Sequence, residues 1–347
     1  MEILFYLLSL ILTFLNFIPF LPSPKWYVRV WDYPRFQMLG IGLVIALTAS
    51  FTLDFNRWEN IVCLVLLGLN FLYLGWIVYP YTFLSSKMVV DANKKAGTEK
   101  IKLMTVNVYQ HNQAFGETLD LIQKTNPDVV FILETDENWK NAVQNLKKEY
   151  EYFIEIPKEN TYGMLFYSKI PIKNQEIHYL IDDEIPSIIV DLQFGKHLMR
   201  LYGVHPTPPV PQENTESTER DAEILIMGKK SKEFQGPSIV FGDLNDVAWS
   251  HTTRLFLRIS GMLDPRIGRG MYNTFHTKYP FFRWPLDHFF VSSHFRLHHL
   301  KVENGVGSDH FPISIELSIH PKDEEKELET KPDDKEEAQA IIEEAKA

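Results

Sequence analysis

The segment Ser238-Ile239-Val240-Phe241-Gly242-Asp243-Leu244-Asn245 places a short apolar run, rich in β-branched residues, directly before a carboxylate and a carboxamide. Such a run reads as a buried strand that stops at the glycine. Side chains two apart on an extended chain point to the same side, so Asp243 and Asn245 leave the strand end together. They offer a hard oxygen acceptor beside a neutral group that both donates and accepts. That pairing suits a phosphoryl group held near a divalent cation. A Gly-Asp pair after a strand is also an ordinary turn, so the pairing gains meaning only if the chain supplies partners.

Other strand ends supply them. Asn107 lies in the alternating stretch Lys100–Val108, and Glu134 follows the apolar run Val129–Leu133. His205 follows His197–Val204, and Asp287-His288 sits inside Leu286–Val291. Ser308-Asp309-His310-Phe311-Pro312 precedes a last strand ending at Ile319. Each has an ordinary explanation alone: Glu134 as a solvated strand-end charge, Asp309 as a turn residue, His310 as a satisfied loop histidine, His288 as a packing residue. Their coincidence at successive strand ends favours chemistry.

The elements that must position these groups begin near residue 100. Helical spacing covers Phe115–Thr125, Trp139–Tyr150 and Thr218–Phe234, and short strands are expected at Tyr152–Ile156, Gly163–Tyr167, Ser187–Gln193 and His197–Val204. Strands interleaved with a few helices, many of them hairpin-like, predict an α/β sandwich rather than a doubly wound parallel sheet.

Ahead of this domain lie three uncharged runs, about 3–22, 36–53 and 61–84, each long enough to cross a hydrocarbon core of about 30 Å. The first has neither the basic start nor the small-residue cleavage site of a signal peptide. Trp26, Tyr27, Trp31, Tyr33, Trp58, Trp76, Tyr79 and Tyr81 cluster near the ends of the runs, as an interfacial belt would. We read residues 1–90 as a multi-pass membrane region with three transmembrane helices, 91–99 as a polar linker and 100–320 as the folded domain. Lys25, Arg29, Arg35, Lys87, Lys94 and Lys95 fall on one side of three spans and only Arg57 on the other. The positive-inside bias places the folded domain in the cytoplasm.

The formal net charge of -10 is unevenly spread: residues 98–320 carry 23 Lys+Arg against 29 Asp+Glu, and residues 321–347 carry 5 against 11. An acidic domain argues against broad electrostatic capture of nucleic acid, without excluding a local basic groove. The single cysteine, Cys63, rules out an intrachain disulfide and a cysteine-based zinc site. Residues 321–347 read as an acidic, disordered tail, in part helical from Asp334.

Taken together, Thr105-Val106-Asn107-Val108, the Pro127-Asp128-Val129-Val130 run ending at Glu134, Gly203-Val204-His205, Gly242-Asp243-Leu244-Asn245, Leu286-Asp287-His288 and Ser308-Asp309-His310-Phe311-Pro312 resemble the successive motifs of the endonuclease/exonuclease/phosphatase superfamily, in its order. Asn112 and Trp249-Ser250 are similar to a bacterial branch with N-terminal membrane helices, which implies the bacterial inner membrane.

The resemblance implies a four-layer α/β sandwich, two packed mixed β-sheets flanked by helices, and Mg2+- or Mn2+-dependent hydrolysis of a phosphoester. In that scheme Glu134, Asn107 and Asp309 hold the metal, and Asp243 orients or deprotonates the attacking water. Asn245 holds the phosphate, His205 binds a non-bridging oxygen, and His310 shuttles a proton or stabilises the transition state with Asp287 fixing its tautomer. His288 stands where an aromatic residue is often found, and a structural role is expected for it. The substrate is a nucleic acid or a phospholipid or small phosphoester, with the membrane reached through the N-terminal helices and no protein partner implied. A catalytically inactive membrane scaffold that keeps the fold for binding is the alternative.

Overall fold

The structure is a computed structural model that describes residues 2–93, 99–323 and 326–347. The element order begins with helices α1 (Glu2–Phe17), α2 (Trp26–Arg29), α3 (Arg35–Thr52) and α4 (Trp58–Val78). It continues with β1 (Lys100–Asn107), α5 (Phe115–Thr125), β2 (Val129–Leu133), α6 (Glu137–Ala142), β3 (Tyr152–Ile156), β4 (Met164–Ser168), β5 (Ile172–His178), β6 (Ser187–Phe194) and β7 (His197–Val204). Then come α7 (Thr218–Glu233), β8 (Ser238–Asp243), α8 (His251–Ser260), β9 (Asp287–Val291), β10 (Phe295–Val302), β11 (Ile313–Ile319) and α9 (Asp334–Lys346).

The strands form two mixed sheets, ordered β10-β11-β1-β2-β4-β3 and β5-β6-β7-β8-β9. Period-2 alternation explains how each sheet is covered on both faces. Along β2, Val129, Phe131 and Leu133 enter the core between the sheets, while Val130 and Ile132 face α5 and α6 on the outside. Along β8, Ile239 and Phe241 point into the same central core and Val240 packs outward under α7 and α8. Phe131 and Phe241 meet across the sheets with ring centroids 5.0 Å apart. The result is the two-sheet sandwich flanked by helices that the motifs implied.

One parallel pair sits inside each otherwise antiparallel sheet, β1 with β2 and β7 with β8. Parallel strands deliver their C-terminal ends to one edge, where ligand sites of α/β sheets form. Asn107, Glu134, His205 and Asp243 all sit at those four ends. Gly242 lets β8 end there: at φ +136, a Cβ would lie 2.0 Å from the Val204 carbonyl oxygen.

Three helical segments, Glu2–Phe20, Arg35–Thr52 and Trp58–Tyr81, are long and apolar enough to cross a membrane, with mean hydropathies of 2.2, 1.4 and 2.4. Their few polar side chains bond one another: Asn16 donates to Asn70 at 2.5 Å, and Asn70 to Thr13 at 2.7 Å. Such pairs hold helices together where no water competes. Two of the eight aromatics assigned to an interfacial belt face the sandwich instead. Tyr33 donates to the Asn245 carbonyl at 2.8 Å, and buried Tyr81 donates to the Ala248 carbonyl at 2.7 Å. Trp249 returns a bond from its indole nitrogen to the Asp32 carbonyl at 2.7 Å. The helices therefore dock directly beside the strand end that carries Asp243 and Asn245.

Local patterns miss several elements. The helix expected over Trp139–Tyr150 is shorter: α6 starts on the Asp136 cap, whose carboxylate accepts from the Trp139 N–H, and a 3-10 turn covers Gln144–Lys148. Strand β5 is an exposed edge, so it lacks apolar alternation. Most of the linker expected over 91–99 lies outside the described residues, but Asp91 is held by Arg269 and the Ala92 N–H donates to Leu297. The helix expected in part of the acidic tail from Asp334 is present, and it is docked on the domain rather than solvated. Residues 334–346 are helical, Ala338 and Ile342 are buried against α7 and α8, and Asp334 takes a bidentate ion pair from Arg258 at 2.8 Å. Two apolar residues per turn-and-a-half and one buried pair outweigh the solvation of an acidic helix. Ile342→Ala should cost about 2 kcal/mol, read as a fall of roughly 5 °C in the melting temperature of the full chain; an unchanged melting temperature would show that α9 is not docked.

Candidate active site

Asn107 closes β1 with its amide fully enclosed. Its Oδ1 accepts the Tyr109 N–H at 3.0 Å, so its Nδ2 must face the other way. That Nδ2 donates to Glu134 Oε1 at 2.7 Å and to Asp243 Oδ2 at 3.0 Å, joining the carboxylates of the two sheets. Asn107, expected among the metal-holding groups, thus presents donors rather than a lone pair to the site. In this arrangement it positions the carboxylates.

Glu134 turns out of β2 in the left-handed region, at φ +59, and Asn245 leaves β8 likewise at φ +51. Non-glycine residues held there are concentrated at functional sites. Besides Asn107, the Glu134 carboxylate takes, among the described residues, only the Gln110 N–H at 3.3 Å. Burial pushes its pKa up to about 7, against the pull of the Asn107 bond. An oxygen-rich corner with a half-buried carboxylate that no cation pairs among the described residues fits a hard divalent ion, and Asp309 lies close enough to repel Glu134.

Asp243 is buried, with Oδ1 taking the Asn245 N–H at 2.9 Å and Oδ2 facing both Asn107 and His310 Nε2, the latter at 3.5 Å. His310 Nδ1 lies 2.8 Å from Asp287 Oδ2. Burial alone would lower the imidazole's pKa; the Asp243 and Asp287 carboxylates outweigh it and raise it to about 10. Thr274 Oγ1 accepts the Asp287 N–H, and the Phe275 ring lies 5.0 Å from that of His310, fixing the pair from behind. Ligand atoms of Asp243, Asp287 and His310 all lie within 4.8 Å of one another and could hold a metal ion. The same geometry is that of an imidazolium clamped between two carboxylates, and a cation placed there would displace that charge.

His205, also buried, has an unpartnered Nδ1, and burial pushes it down to about 4 against the pull of Asp243. It enters the site as a neutral imidazole. Asn245 donates from Nδ2 to the Pro206 carbonyl at 3.0 Å, which sets its amide beside His205. The structure therefore brings Asn107, Glu134, His205, Asp243, Asn245, Asp287, Asp309 and His310 to one edge. His288 stays out of it: its ring is fully buried between Arg266 at 2.6 Å and the Asp246 carbonyl at 2.8 Å. Arg220, in the first turn of α7, is buried and ion-paired with Asp221.

Sequence reasoning missed the supports of Asn245. Its carbonyl accepts from Arg220 at 2.8 Å and from Tyr33, which reaches in from the segment between α1 and α3. No local pattern signals a bond across 212 residues. Asp246 was legible in principle, as a second carboxylate beside Asn245; it binds Ser250 and Thr253 and lies 3.5 Å from Arg220, bracing the turn.

A family model described as the Endonuclease/Exonuclease/phosphatase family matches residues 104–310. No curated protein sequence matches the chain. Among solved structures it is similar to D. rerio TDP2 complexed with single strand DNA product: 17% identity, TM-score 0.53, covering 63% of this chain and 99% of that one. Endonuclease/exonuclease/phosphatase proteins of Bacteroides vulgatus and Bacteroides thetaiotaomicron are similar at 17% and 16% identity, each with a TM-score of 0.51. They cover 64% and 65% of this chain and 100% and 96% of their own. These likenesses concern the fold.

Proposed function

The chain belongs to the endonuclease/exonuclease/phosphatase family, and from that premise we propose that it is a membrane-anchored, divalent-metal-dependent phosphoesterase acting on phosphoesters at the bilayer surface. The observation that carries the catalytic part is the bond of one amide, Asn107, to Glu134 and Asp243, which sets a metal-holding carboxylate against a water-orienting one.

Glu134 and Asp309 would hold Mg2+ or Mn2+, positioned by Asn107, and the bound ion would neutralise charge on the phosphate and leaving oxygen. Asp243 accepts a proton from, or orients, the attacking water, with Oδ2 shared between Asn107 and His310. His310, charged and steered by Asp287, stabilises the transition state and returns a proton to the leaving oxygen. Neutral His205 and the Asn245 amide bind the non-bridging oxygens.

The loop after Phe275 favours a bilayer substrate. Tyr279, Phe281 and Phe282 are 57%, 81% and 58% exposed, beside Lys278 and Arg283. The Phe281 carbonyl accepts from Gln37, in the first turn of α3, so these rings lie level with the end of a candidate membrane span. Aromatic and basic residues together suit the headgroup region. The loop also reaches the site, because the Thr277 N–H donates to the Asp309 carbonyl at 2.8 Å. Nucleic acid, the ligand of the similar D. rerio structure, is the second reading.

The full chain in vesicles should hydrolyse bis-p-nitrophenyl phosphate with Mg2+ or Mn2+ and lose that activity to EDTA. Phe281→Ser with Phe282→Ser should lower turnover of vesicle phospholipid by about tenfold or more, the equivalent of about 1.4 kcal/mol, and leave the soluble ester unaffected. Cleavage of single-stranded DNA with no turnover of vesicle phospholipid would replace the bilayer reading with the nuclease one.

A further inference from the structure

A cavity of about 350 Å³ lies where the three apolar helices meet the sandwich, lined in part by Trp249 and by none of the strand-end carboxylates. The turn just after α1 (residues 19–22), the start of α3 at Arg35 and the end of α4 at Tyr73 and Ile77 all reach it. These are the helix ends nearest the sandwich, the depth at which headgroups would lie. Phe20 and Leu21 at its rim are 62% and 54% exposed, giving the mouth an apolar lip toward the helices.

Its polar wall is unevenly charged. Arg29, Arg35 and Arg254 face Asp32 and Glu337. Arg35 pairs with Asp32 at 3.1 Å, and Glu337 is taken by His251. Among the described residues that leaves Arg29 and Arg254 without a hydrogen-bonded carboxylate, with Asp32 attracting both from a distance. Among the described residues Arg29 donates to the carbonyls of Pro19 and Leu21 and Arg254 to the Ser250 carbonyl at 3.3 Å, with the Trp76 ring 5.7 Å away. Burial lowers the pKa of the Arg254 guanidinium, and the pull of Asp32, already bonded to Arg35, does not offset it. Guanidinium groups match phosphate oxygens in a planar, two-pronged way, and basic pockets at helix ends take anionic lipid headgroups.

We infer that this cavity is a binding site for the phosphate of an anionic glycerophospholipid, held by Arg29 and Arg254 with its acyl chains along the apolar helices. The site is separate from the strand-end carboxylates. It rests on the membrane reading above and not on the catalytic one. It also gives α9 a purpose in the assembly, since Glu337 occupies His251 and leaves the arginines to the lipid.

The test uses the full chain, purified in detergent and given equal phosphatidylglycerol and phosphatidylcholine, with native mass spectrometry reading the lipid retained. The wild type should prefer phosphatidylglycerol by about 30-fold, from two arginines near the surface. Arg29→Gln with Arg254→Gln should remove the preference, while Arg29→Lys with Arg254→Lys should keep most of it and so separates lost charge from lost fold. Arg57→Gln, at the opposite helix ends beside Glu2, should change nothing. Equal retention of both lipids, or a preference that survives the glutamine pair, would overturn the site. Displacement of the lipid by equimolar inorganic phosphate would overturn the lipid assignment. Failure of the chain to float with vesicles of any composition would sink the membrane reading itself.

Discussion

Asp243→Asn should lower kcat/KM for a soluble phosphodiester by about 10³-fold, the scale of a lost general base, while the protein remains folded. Asparagine keeps the shape and still accepts the Asn245 N–H through Oδ1. It removes the charge and sets an amide where Asn107 and His310 both point at Oδ2. A second readout separates this role from a merely structural one. Asp243 is the foremost cause holding the imidazole of His310 up to about 10. The His310 titration followed by NMR should therefore move down in the variant. The linked stability follows the same sign: a folded pKa above the unfolded one near 6.5 contributes stability below pH 6.5 that is lost as pH rises through about 10. The variant should show less of that loss. Turnover within a few-fold of wild type would remove Asp243 from the mechanism.

Glu134→Gln should raise the Mg2+ or Mn2+ concentration for half-maximal activity by about 10²-fold or more, above the effect of losing an outer-shell partner. Glutamine retains the acceptor for Asn107 Nδ2, so the fold of the strand end should survive. Because burial holds the carboxyl up to about 7, protons compete with the cation below that pH. In the wild type the metal requirement should steepen as pH falls through about 7; in the glutamine variant that dependence should vanish. Metal binding also stabilises the folded state by mass action. Added Mg2+ should raise the melting temperature of the wild type and leave the variant unmoved, a result independent of turnover. An equal thermal response in both would place the ion elsewhere, with Asp243, Asp287 and His310 as the next set to test.

Much of the site was legible because its signals are local. A buried strand announces itself by a run of three to five apolar residues, and the polar residue that ends it follows directly in the chain. Glu134 after Val129–Leu133 and Asp243 after Ser238–Gly242 are both read that way. The sandwich followed from the order of such strands and the family resemblance they carry. The sense of the Asn107 amide was not legible, because it depends on whether the Tyr109 N–H takes Oδ1. Nor was the docking of α9, since an acidic helix with one apolar face looks the same in solution and against α7.

The sequence by itself determined which chemical groups the strands would end in, and that three segments are apolar enough to cross a membrane, because both depend on composition over neighbouring residues. Only the tertiary structure decided that two parallel strand pairs from different sheets deliver those groups to one edge, that Tyr33 and Arg220 hold the Asn245 carbonyl from distant parts of the chain, and that two arginines between helices and sandwich have no carboxylate hydrogen-bonded to them among the described residues. The physical reason is range. Strand periodicity acts over two residues, whereas a bond across 212 residues exists only once the intervening chain has packed.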